Sequence, residues 1–484
     1  MSWNTQRRAS RLLLTVAVLV GALIFNALQG QTFEPFESGR LKFIFIFIAD
    51  GAGINHLEIT RMYNQHIHGE GFNITDSIFN EGTLGILTTH SADSLASDST
   101  AAASALANGC KTKNDVVGLC ANGFRSASVL EVARGEGMKV GIVTNATIYD
   151  ATPASFSTHV SHRKRYDEIC DAYLALEPEV LMGGGRDRFI PKGIAGSRRK
   201  DDKNVIELFK EKGYTYVSDK KGLREVKASK VLGLFSLREI SFEMDRNKDK
   251  EPSVFDMTQA ALKILQRDRE SGFILLVETE HVDSAAHRSD VASVIHELRE
   301  FDRAVGLAYD FYLKHPRETL ILVTSDHESG GLAFTRAASR VEWSKSKDRA
   351  RRFNPTVKSL EKIHSIPISI DRALQILGKQ PTSEDVDRLM KEQYKGFHLA
   401  PELKEVLITN RKSFGPTFYS YPRAAALGAM VADNTQAYWL GRGHTNQPVF
   451  VGALGVGAHL FRGYQDNTRF AIHLFSILGA EDLP

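Results

Sequence analysis

Cysteine is scarce in this sequence, and so is any excess of charge of one sign. Three cysteines in 484 residues are too few for a disulfide-built scaffold or for a zinc framework of cysteine ligands. The formal net charge is only +3, from 61 basic and 58 acidic side chains, whereas a nucleic-acid-binding domain is typically strongly basic. With 42% hydrophobic and 25% charged residues, the composition also excludes disordered, collagen-like and coiled-coil chains. The sequence therefore predicts a globular protein with no nucleic-acid partner.

A long apolar run near the start of the chain has the features of a targeting segment. Arg7, Arg8 and Arg11 precede an uncharged run over residues 12–28, the order typical of a signal peptide, and no second run of this length follows. We predict export to the periplasm or the extracellular space, with residues 1–30 as a signal peptide or, if uncleaved, as a membrane anchor. Residues 1–30 contain no acidic side chain, so these three arginines account for the whole net charge and leave 58 basic and 58 acidic side chains.

The three cysteines fit an exported protein. Cys110 and Cys120 are separated by a short segment, and in an oxidising compartment they could form a disulfide across it. Cys170 would then be left over.

Short apolar segments alternate with helical patterns along the rest of the chain. The predicted strands are Leu41–Ile48, Lys139–Thr144, Phe273–Val277, Thr319–Thr324 and Val449–Val451. The predicted helices are Thr100–Ala107, Met257–Arg267, Val291–Leu313 and Phe470–Leu478. This alternation is typical of an α/β fold with a large, mostly parallel sheet and helices on both faces. The more basic segment 335–423 has no clear strand and is predicted to be a partly helical insertion.

Carboxylate and imidazole side chains follow several of the predicted strands. Asp50, Glu278 and the pair Asp326-His327 each come directly after an apolar run. Each could be simple turn or cap chemistry. Ligands of mostly parallel sheets, however, bind at the carboxyl ends of the strands, where these residues would meet.

Further candidate metal ligands lie on a predicted helix and a loop. Asp283 and His287 are four residues apart, so one helical turn would place both on the same face, and His444 follows a glycine-containing loop. A solvated helix face would explain the first pair equally well. Taken as a set, these residues offer the carboxylates and imidazoles that suit zinc and the oxygen atoms that suit magnesium.

Ser99 begins an alanine-rich helical stretch, a position with two interpretations. Serine is among the best helix N-caps, which is the structural explanation. The functional explanation is that a helix N-terminus favours phosphate-like anions, and that a serine held against zinc can act as a nucleophile.

The segment from Asp150 to Arg163 allows similar alternatives. Thr152 offers a neutral oxygen beside the Asp150 carboxylate that would suit magnesium, or the two could form a simple turn before Pro153. The guanidinium of Arg163 can donate bidentate hydrogen bonds to two phosphate oxygens, although a lone arginine is more often a surface ion-pair partner.

Seven segments resemble the alkaline phosphatases, in order and spacing, over residues 40–480. They are DGAG (50–53), SDSTAAASA (97–105), DATPAS (150–155), HVSHR (159–163), VETEHVDSAAH (277–287), TSDH (324–327) and GRGHTNQPVFVGA (441–453). The resemblance implies a three-layer α/β sandwich in one catalytic domain, residues 36–484, with the insertion at about 335–423. It also implies hydrolysis of small phosphate monoesters at alkaline pH, with a broad substrate range. A homodimer is expected by family analogy.

The resemblance also assigns a role to each candidate residue. Ser99 matches the nucleophile that becomes phosphorylated, and Arg163 matches the arginine that binds two phosphate oxygens. Two zinc ions are implied, the first bound by Asp283, His287 and His444 and the second by Asp50, Asp326 and His327. One magnesium ion is implied, bound by Asp50, Thr152 and Glu278, with Asp150 supporting its waters. The charges of three such metals, four ligand carboxylates and Arg163 sum to a positive total in the pocket. This positive charge suits the dianion of a monoester better than a diester.

Three positions depart from the family pattern. Ala49 stands where a glycine is usual, and Thr100 replaces a small apolar residue after Ser99, which makes Thr100 an alternative nucleophile. Ser284 stands where many relatives have lysine, histidine or tryptophan, which leaves the third metal and the pH optimum open.

Two other functional classes share part of this pattern. A phosphodiesterase or a sulfatase would keep two metal sites, but a sulfatase needs a C/S-x-P-x-R motif, whose proline and arginine Ser99 lacks. A binding protein without activity would be expected to lack a ligand or the nucleophile, and none is missing.

Overall fold

The first apolar run after residue 40 forms a strand at the centre of a large sheet in the computed structural model, which describes residues 41–267, 270–335, 355–411 and 421–480. The strands of these residues are β1 (Phe43–Ala49), β2 (Thr83–Leu87), β3 (Lys139–Thr147), β4 (Val180–Gly184), β5 (Thr215–Val217), β6 (Val231–Leu234), β7 (Phe273–Thr279), β8 (Thr319–Thr324), β9 (Glu328–Ser329), β10 (Leu332–Phe334), β11 (Ala437–Trp439), β12 (His444–Thr445), β13 (Val449–Gly455) and β14 (Gly463–Gln465).

Ten of these strands form one sheet in the described part of the chain. Their order is β14-β2-β13-β8-β1-β7-β3-β4-β6-β5, and β13 alone runs antiparallel to its neighbours β2 and β8. All seven side chains of β1 are apolar and buried, as expected for a parallel strand covered on both faces. The parallel strands β7 and β8 flank β1, so the carboxyl ends of these three strands lie side by side.

α-Helices connect these strands, and several of them pack against the sheet. In the described residues they are α1 (Ile54–Tyr63), α2 (Ser99–Asn108), α3 (Val129–Gly135), α4 (Ala151–Ser155), α5 (Tyr166–Leu176), α6 (Val205–Glu211), α7 (Lys220–Glu225), α8 (Val254–Leu265), α9 (His281–His287), α10 (Val291–Tyr312), α11 (Val357–His364), α12 (Ile370–Leu377), α13 (Ser383–Gln393), α14 (Pro401–Thr409), α15 (Pro422–Thr435) and α16 (Thr468–Ile477).

Alternate residues of β1 face opposite layers of the molecule. Phe43, Phe45 and Phe47 share one buried cluster with apolar residues of α8 and α10. Ile44 and Ile46, which alternate with them, are fully buried on the other face. α3 also contacts β3 and β7. The predicted α/β fold, with a mostly parallel sheet and helices, is confirmed.

A second apolar core lies under the helices of segment 355–411. Apolar residues of α11 to α14 pack there with α15, with α1 and with the start of α10. The predicted insertion at 335–423 falls in part on residues 336–354 and 412–420, which lie outside the described residues. The predicted targeting segment, residues 1–30, lies outside them as well.

The predicted pairing of the cysteines can be compared directly with the structure. Cys110 and Cys120 form a disulfide, and Cys170 is a buried free cysteine. None of the helices in the described part of the chain combines the length and the apolarity needed to span a bilayer.

Candidate active site

The candidate site residues meet where β1, β7 and β8 end. Asp50 directly follows β1, Glu278 lies near the end of β7, and Asp326 lies just beyond β8. The strand register pairs Ile48 of β1 with Glu278 and with Thr324, so the three carboxylates reach the same edge of the sheet. Asp50 is held there by a hydrogen bond of 3.1 Å from its backbone N–H to the carbonyl oxygen of Thr279.

A first group of possible metal ligands consists of Asp283, His287 and His444. Asp283 and His287 lie one turn apart on α9, as their spacing predicts, and His287 Nε2 lies 3.1 Å from Asp283 Oδ2. His444 Nε2 lies 3.2 Å from His287 Nε2 and 3.6 Å from Asp283 Oδ1. The Nδ1 atoms face backbone carbonyls, that of His444 being 2.7 Å from Ser97 O, which leaves both Nε2 atoms for a ligand.

A second group consists of Asp50, Asp326 and His327, all buried. His327 Nε2 lies 3.4 Å from Asp50 Oδ1 and 3.3 Å from Asp326 Oδ2. The other oxygen of Asp326 accepts hydrogen bonds from the backbone N–H groups of Gly51 and His327, at 3.2 and 2.9 Å. The carboxylate is therefore fixed by the backbone on one side and free on the side of His327.

Ser99 is the first residue of α2, and its Oγ lies 3.1 Å from His327 Nε2. The N-cap is not Ser99 but Asp98, whose Oδ1 accepts a hydrogen bond of 2.9 Å from the backbone N–H of Ala101. The structure thus gives the capping role to the preceding residue and leaves the Ser99 hydroxyl beside the second group. The hydroxyl of Thr100 is buried and donates to Asp98 instead.

Thr152 and Glu278 lie close to the same strand ends. Thr152 is fully buried in α4, whose N-cap is Asp150, and Glu278 Oε2 accepts a hydrogen bond of 2.6 Å from Thr144 Oγ1. Thr152 Oγ1 has no hydrogen-bond partner among the described residues.

Arg163 lies between two carboxylates. Its Nη1 donates to Asp98 Oδ2 at 3.2 Å, and its Nη2 donates to Asp150 Oδ1 at 3.0 Å. The two carboxylates belong to the N-caps of α2 and α4, so both helix starts help to orient the guanidinium. These contacts raise the pKa of Arg163 above its ordinary value even though burial acts in the opposite direction, so the side chain stays charged.

The pKa values of the buried carboxylates indicate that the site is suited to bind cations. Burial raises the pKa of Glu278 to about 8 and that of Asp326 to about 7. Burial and the neighbouring Asp326 and Asp283 also raise the pKa of Asp50 well above its usual range. Asp283 differs, because His287 and His444 hold its pKa well below the usual range against the effect of burial. Crowded buried carboxylates of this kind are stabilised when a bound cation replaces their protons.

Unpaired oxygen atoms provide a second test of whether metal ions fit. Asp50 Oδ1, Asp326 Oδ2 and Thr152 Oγ1 are buried without a hydrogen-bond partner in the described part of the protein. Most buried polar atoms have a partner, so three orphaned oxygens in one place require an explanation. The donor set of carboxylates, imidazoles and a hydroxyl suits zinc and magnesium and therefore fits the implied metals.

The sequence alone did not single out several residues that support the site. Asp98 caps α2 and holds Arg163, and its position before a helical stretch is an N-cap signal that could have identified it. Ser329 Oγ donates to Asp283, and Glu280 accepts a hydrogen bond from Ser284 Oγ at 2.7 Å. No sequence pattern marks Ser329, because its contact with Asp283 depends on how β9 packs against α9. Glu280 lies four residues before Ser284, a helical spacing that could have identified this contact.

Comparisons with known proteins agree over most of the chain. The sequence profile of the alkaline phosphatase family matches residues 41–480. Alkaline phosphatase 3 of Bacillus subtilis (strain 168) is 30% identical over 482 residues, which cover 96% of each chain. The repressible alkaline phosphatase of Saccharomyces cerevisiae is 34% identical over 68% of this chain and 62% of its own length. The crystal structure of Thermus thermophilus alkaline phosphatase superposes with a TM-score of 0.81, at 26% identity, over 93% of this chain and 95% of that one.

Proposed function

The chain belongs to the alkaline phosphatase family, a family of phosphate monoester hydrolases, and we propose that it acts through a phosphoserine on Ser99. The observation that carries this proposal is the position of Ser99 Oγ, 3.1 Å from His327 Nε2 at the N-terminus of α2. A hydroxyl there lies beside a candidate metal group and at the end of a helix that favours anions.

Two zinc ions and one magnesium ion complete the proposed site. Asp283, His287 and His444 would hold the first zinc, and Asp50, Asp326 and His327 the second. Asp50, Thr152 and Glu278 would hold the magnesium, with Asp150 supporting its waters. When bound, these ions supply the Lewis acidity and positive charge that phosphoryl transfer requires.

In the proposed reaction the chain's own residues bind and orient the phosphate. Arg163, fixed by Asp98 and Asp150, presents its guanidinium to two non-bridging oxygens. Ser99 Oγ loses its proton and attacks phosphorus, so that the Oγ–P bond forms while the bond from phosphorus to the alcohol oxygen breaks and that oxygen takes up a proton. Water then attacks the phosphoserine, which releases inorganic phosphate and restores the serine hydroxyl.

We also propose that the protein is exported and acts on a broad range of small phosphate monoesters at alkaline pH. The basic and apolar segments of residues 1–30 support export, as does the disulfide between Cys110 and Cys120, because such bonds persist in oxidising compartments. Binding of nucleic acid is not expected from the charge balance. The homodimer expected by family analogy stays a prediction.

The test compares Ser99→Ala with wild type on ethyl phosphate. We expect kcat to fall by about 10³-fold or more, because the nucleophile is lost. Acid quenching during turnover, followed by mass spectrometry, should find phosphate on the peptide that contains residue 99 in the wild type and not in Ser99→Ala.

Thr100→Val is the matched control for this test. It removes the neighbouring hydroxyl, which bonds to Asp98 and not to His327, so we expect activity and phosphoserine formation to persist. Full activity of Ser99→Ala with its metals bound would refute the nucleophile assignment. Rates on the monoester and on diethyl phosphate, measured with one preparation, separate a phosphomonoesterase from a phosphodiesterase.

A further inference from the structure

A cleft of about 750 Å³ adjoins the candidate active site. It lies between α9, the segment 239–245 and the start of α12, and Asp150 and Ser284 form part of its wall. Its volume lies within the range of pockets that bind small molecules. Since Asp150 contacts Arg163 at 3.0 Å, the cleft begins beside the group that binds phosphate in the proposed function.

The cleft also follows the helix that carries the first candidate metal group. Asp283 and His287 lie on one side of α9, and Ser284 and Arg288 each follow one residue later. Successive residues of a helix are rotated by about 100°, so Ser284 and Arg288 form the adjacent stripe. Both of them line the cleft. The cleft therefore lies beside the side chains that would surround a phosphate bound at the site.

Carboxylates outnumber cations in the lining. The lining carboxylates are Asp150, Glu239, Asp245, Glu280 and Asp371, whereas the lining basic side chains are Arg288, Arg372 and His281. Some of these charges are already paired, since Arg288 Nε lies 2.5 Å from Asp371 Oδ1 and Glu280 Oε2 lies 2.8 Å from His281 Nδ1.

Asp245 has the least compensated charge of the lining carboxylates, and Glu239 adds a charge that it shares with an exposed arginine. Asp245 is half-buried and accepts hydrogen bonds only from Ser369, with no cationic partner among the described residues. Glu239 is exposed and pairs with Arg238, whose Nη2 lies 3.5 Å from Glu239 Oε1, but this arginine is exposed as well and also lies 3.7 Å from Asp187 Oδ2, so it offsets only part of the charge of Glu239. Arg372 is exposed as well and donates to Gln375, so water screens its charge more than that of Asp245.

We propose that this cleft is the subsite for the alcohol, and that its lining favours phosphate monoesters whose alcohol carries a cationic amine over those whose alcohol carries a second anion. The inference rests on the proposed function, because only a phosphate bound at Arg163 places the alcohol beside the cleft. Asp245 and Glu239 attract the amine and repel a carboxylate. Such selectivity acts through the alcohol and leaves the reaction at phosphorus unchanged.

The test uses three phosphonates of similar size as competitive inhibitors of the metal-loaded enzyme. They are ethylphosphonate, 2-aminoethylphosphonate and phosphonoacetate, which do not react, so their inhibition constants report binding alone. An ion pair partly shielded from water typically changes affinity about fivefold. We expect 2-aminoethylphosphonate to bind about fivefold more tightly than ethylphosphonate and phosphonoacetate to bind more weakly. Equal affinities, or a preference for phosphonoacetate, would overturn the proposal.

Three variants assign the effect to the cleft. Glu239→Gln, at an exposed position, and Asp245→Asn should each reduce the spread of affinities, meaning the difference in affinity between 2-aminoethylphosphonate and phosphonoacetate. Hydrolysis of ethyl phosphate should stay as in the wild type. Arg372→Gln is the matched control, and it should increase the spread. Because Asp245 also holds the start of α12, Glu239→Gln decides the outcome if Asp245→Asn does not fold.

Failure of this proposal is distinguishable from failure of the proposed function. If no monoester is hydrolysed, the proposed function fails whatever the phosphonates show. If ethyl phosphate is hydrolysed and the unreactive phosphonates bind alike, only the subsite proposal fails.

Discussion

Arg163 shows how the role of a single residue is set by its partners. A guanidinium bound to two carboxylates is already oriented before substrate arrives, so little side-chain entropy is lost on binding phosphate. Asp98 serves two purposes in this arrangement, as the N-cap of α2 and as the acceptor for Arg163. The start of the helix that carries Ser99 is thereby coupled to the position of the phosphate-binding group.

We predict that Arg163→Lys weakens the binding of inorganic phosphate by about tenfold and that Arg163→Ala weakens it by about 100-fold. Lysine keeps the charge but loses the two-pronged geometry, and a charge-assisted hydrogen bond contributes about 1.5–3 kcal/mol. Competitive inhibition by phosphate measures both effects. Equal inhibition constants for lysine and arginine would show that charge alone matters at this position.

At the scale of elements, α9 and α10 join the catalytic end of the sheet to the helices of segment 355–411. Asp290, the N-cap of α10, accepts a hydrogen bond of 2.7 Å from the backbone N–H of Ile370 at the start of α12. Arg288, at the end of α9, pairs with Asp371. α12, which forms one wall of the cleft, is thus held against α9, which carries Asp283 and His287, and against the start of α10.

The contact between α10 and α1 predicts a loss of stability in acid. His296 of α10 packs beside Tyr63, and burial together with Arg299 and Lys248 lowers its pKa to about 4. His68 and His364 also pack against Tyr63, and both disfavour a positive charge on His296. Because the unfolded chain takes up this proton at pH 6.5 and the folded chain only near pH 4, the free energy of unfolding should fall across that window as the pH decreases.

The size of this effect is expected to be about 2 kcal/mol, less than the full shift because the ring is partly exposed. Denaturant unfolding at pH 7 and at pH 4.5 measures it, with His296→Gln as the comparison. The glutamine variant should lose about 2 kcal/mol less than the wild type between these two pH values. An identical pH dependence in the two proteins would assign the acid sensitivity to other groups.

For the whole molecule, the sheet concentrates negative charge at one edge. Asp50, Glu278 and Asp326 come from separate parts of the chain, and their mutual repulsion is tolerated only if cations or protons neutralise it. The stability of the fold and the binding of metal ions are therefore expected to be linked.

Removal of metal ions should lower Tm by about 10 °C, the order expected when a ligand bound well above its Kd is withdrawn. In the metal-free protein the pKa of Asp326 is raised to about 7 and that of Glu278 to about 8, so the folded chain holds protons that the unfolded chain releases. The stability of the chelated protein should therefore fall as the pH rises from about 4.5 to 8. Calorimetry with and without a chelator measures this, and recovery on adding zinc and magnesium is the control.

The central elements of this fold were predictable because their signals are local. The predicted strand Thr319–Thr324 has the observed bounds. The predicted bounds of β1, β3, β7 and β13 differ from the observed ones by at most four residues at either end. Buried parallel strands are continuous apolar runs, which a single sequence displays directly. The strands β5 and β6 were not predicted. β5 is a partly exposed edge strand of three residues, and the four-residue apolar run of β6 is too short for periodicity to distinguish a strand from a buried helix segment.

The amino-acid sequence by itself determined the composition of the candidate site, since Asp283 and His287 share a helical turn and Asp50, Asp326 and His327 follow strands. Only the tertiary structure decided which of these residues contact one another. It placed Ser99 Oγ beside His327, gave the cap of α2 to Asp98, and formed the cleft between α9 and α12. The physical reason is that strand ends and helix turns follow from local spacing, whereas contacts between residues more than 200 positions apart depend on the order in which the strands pack.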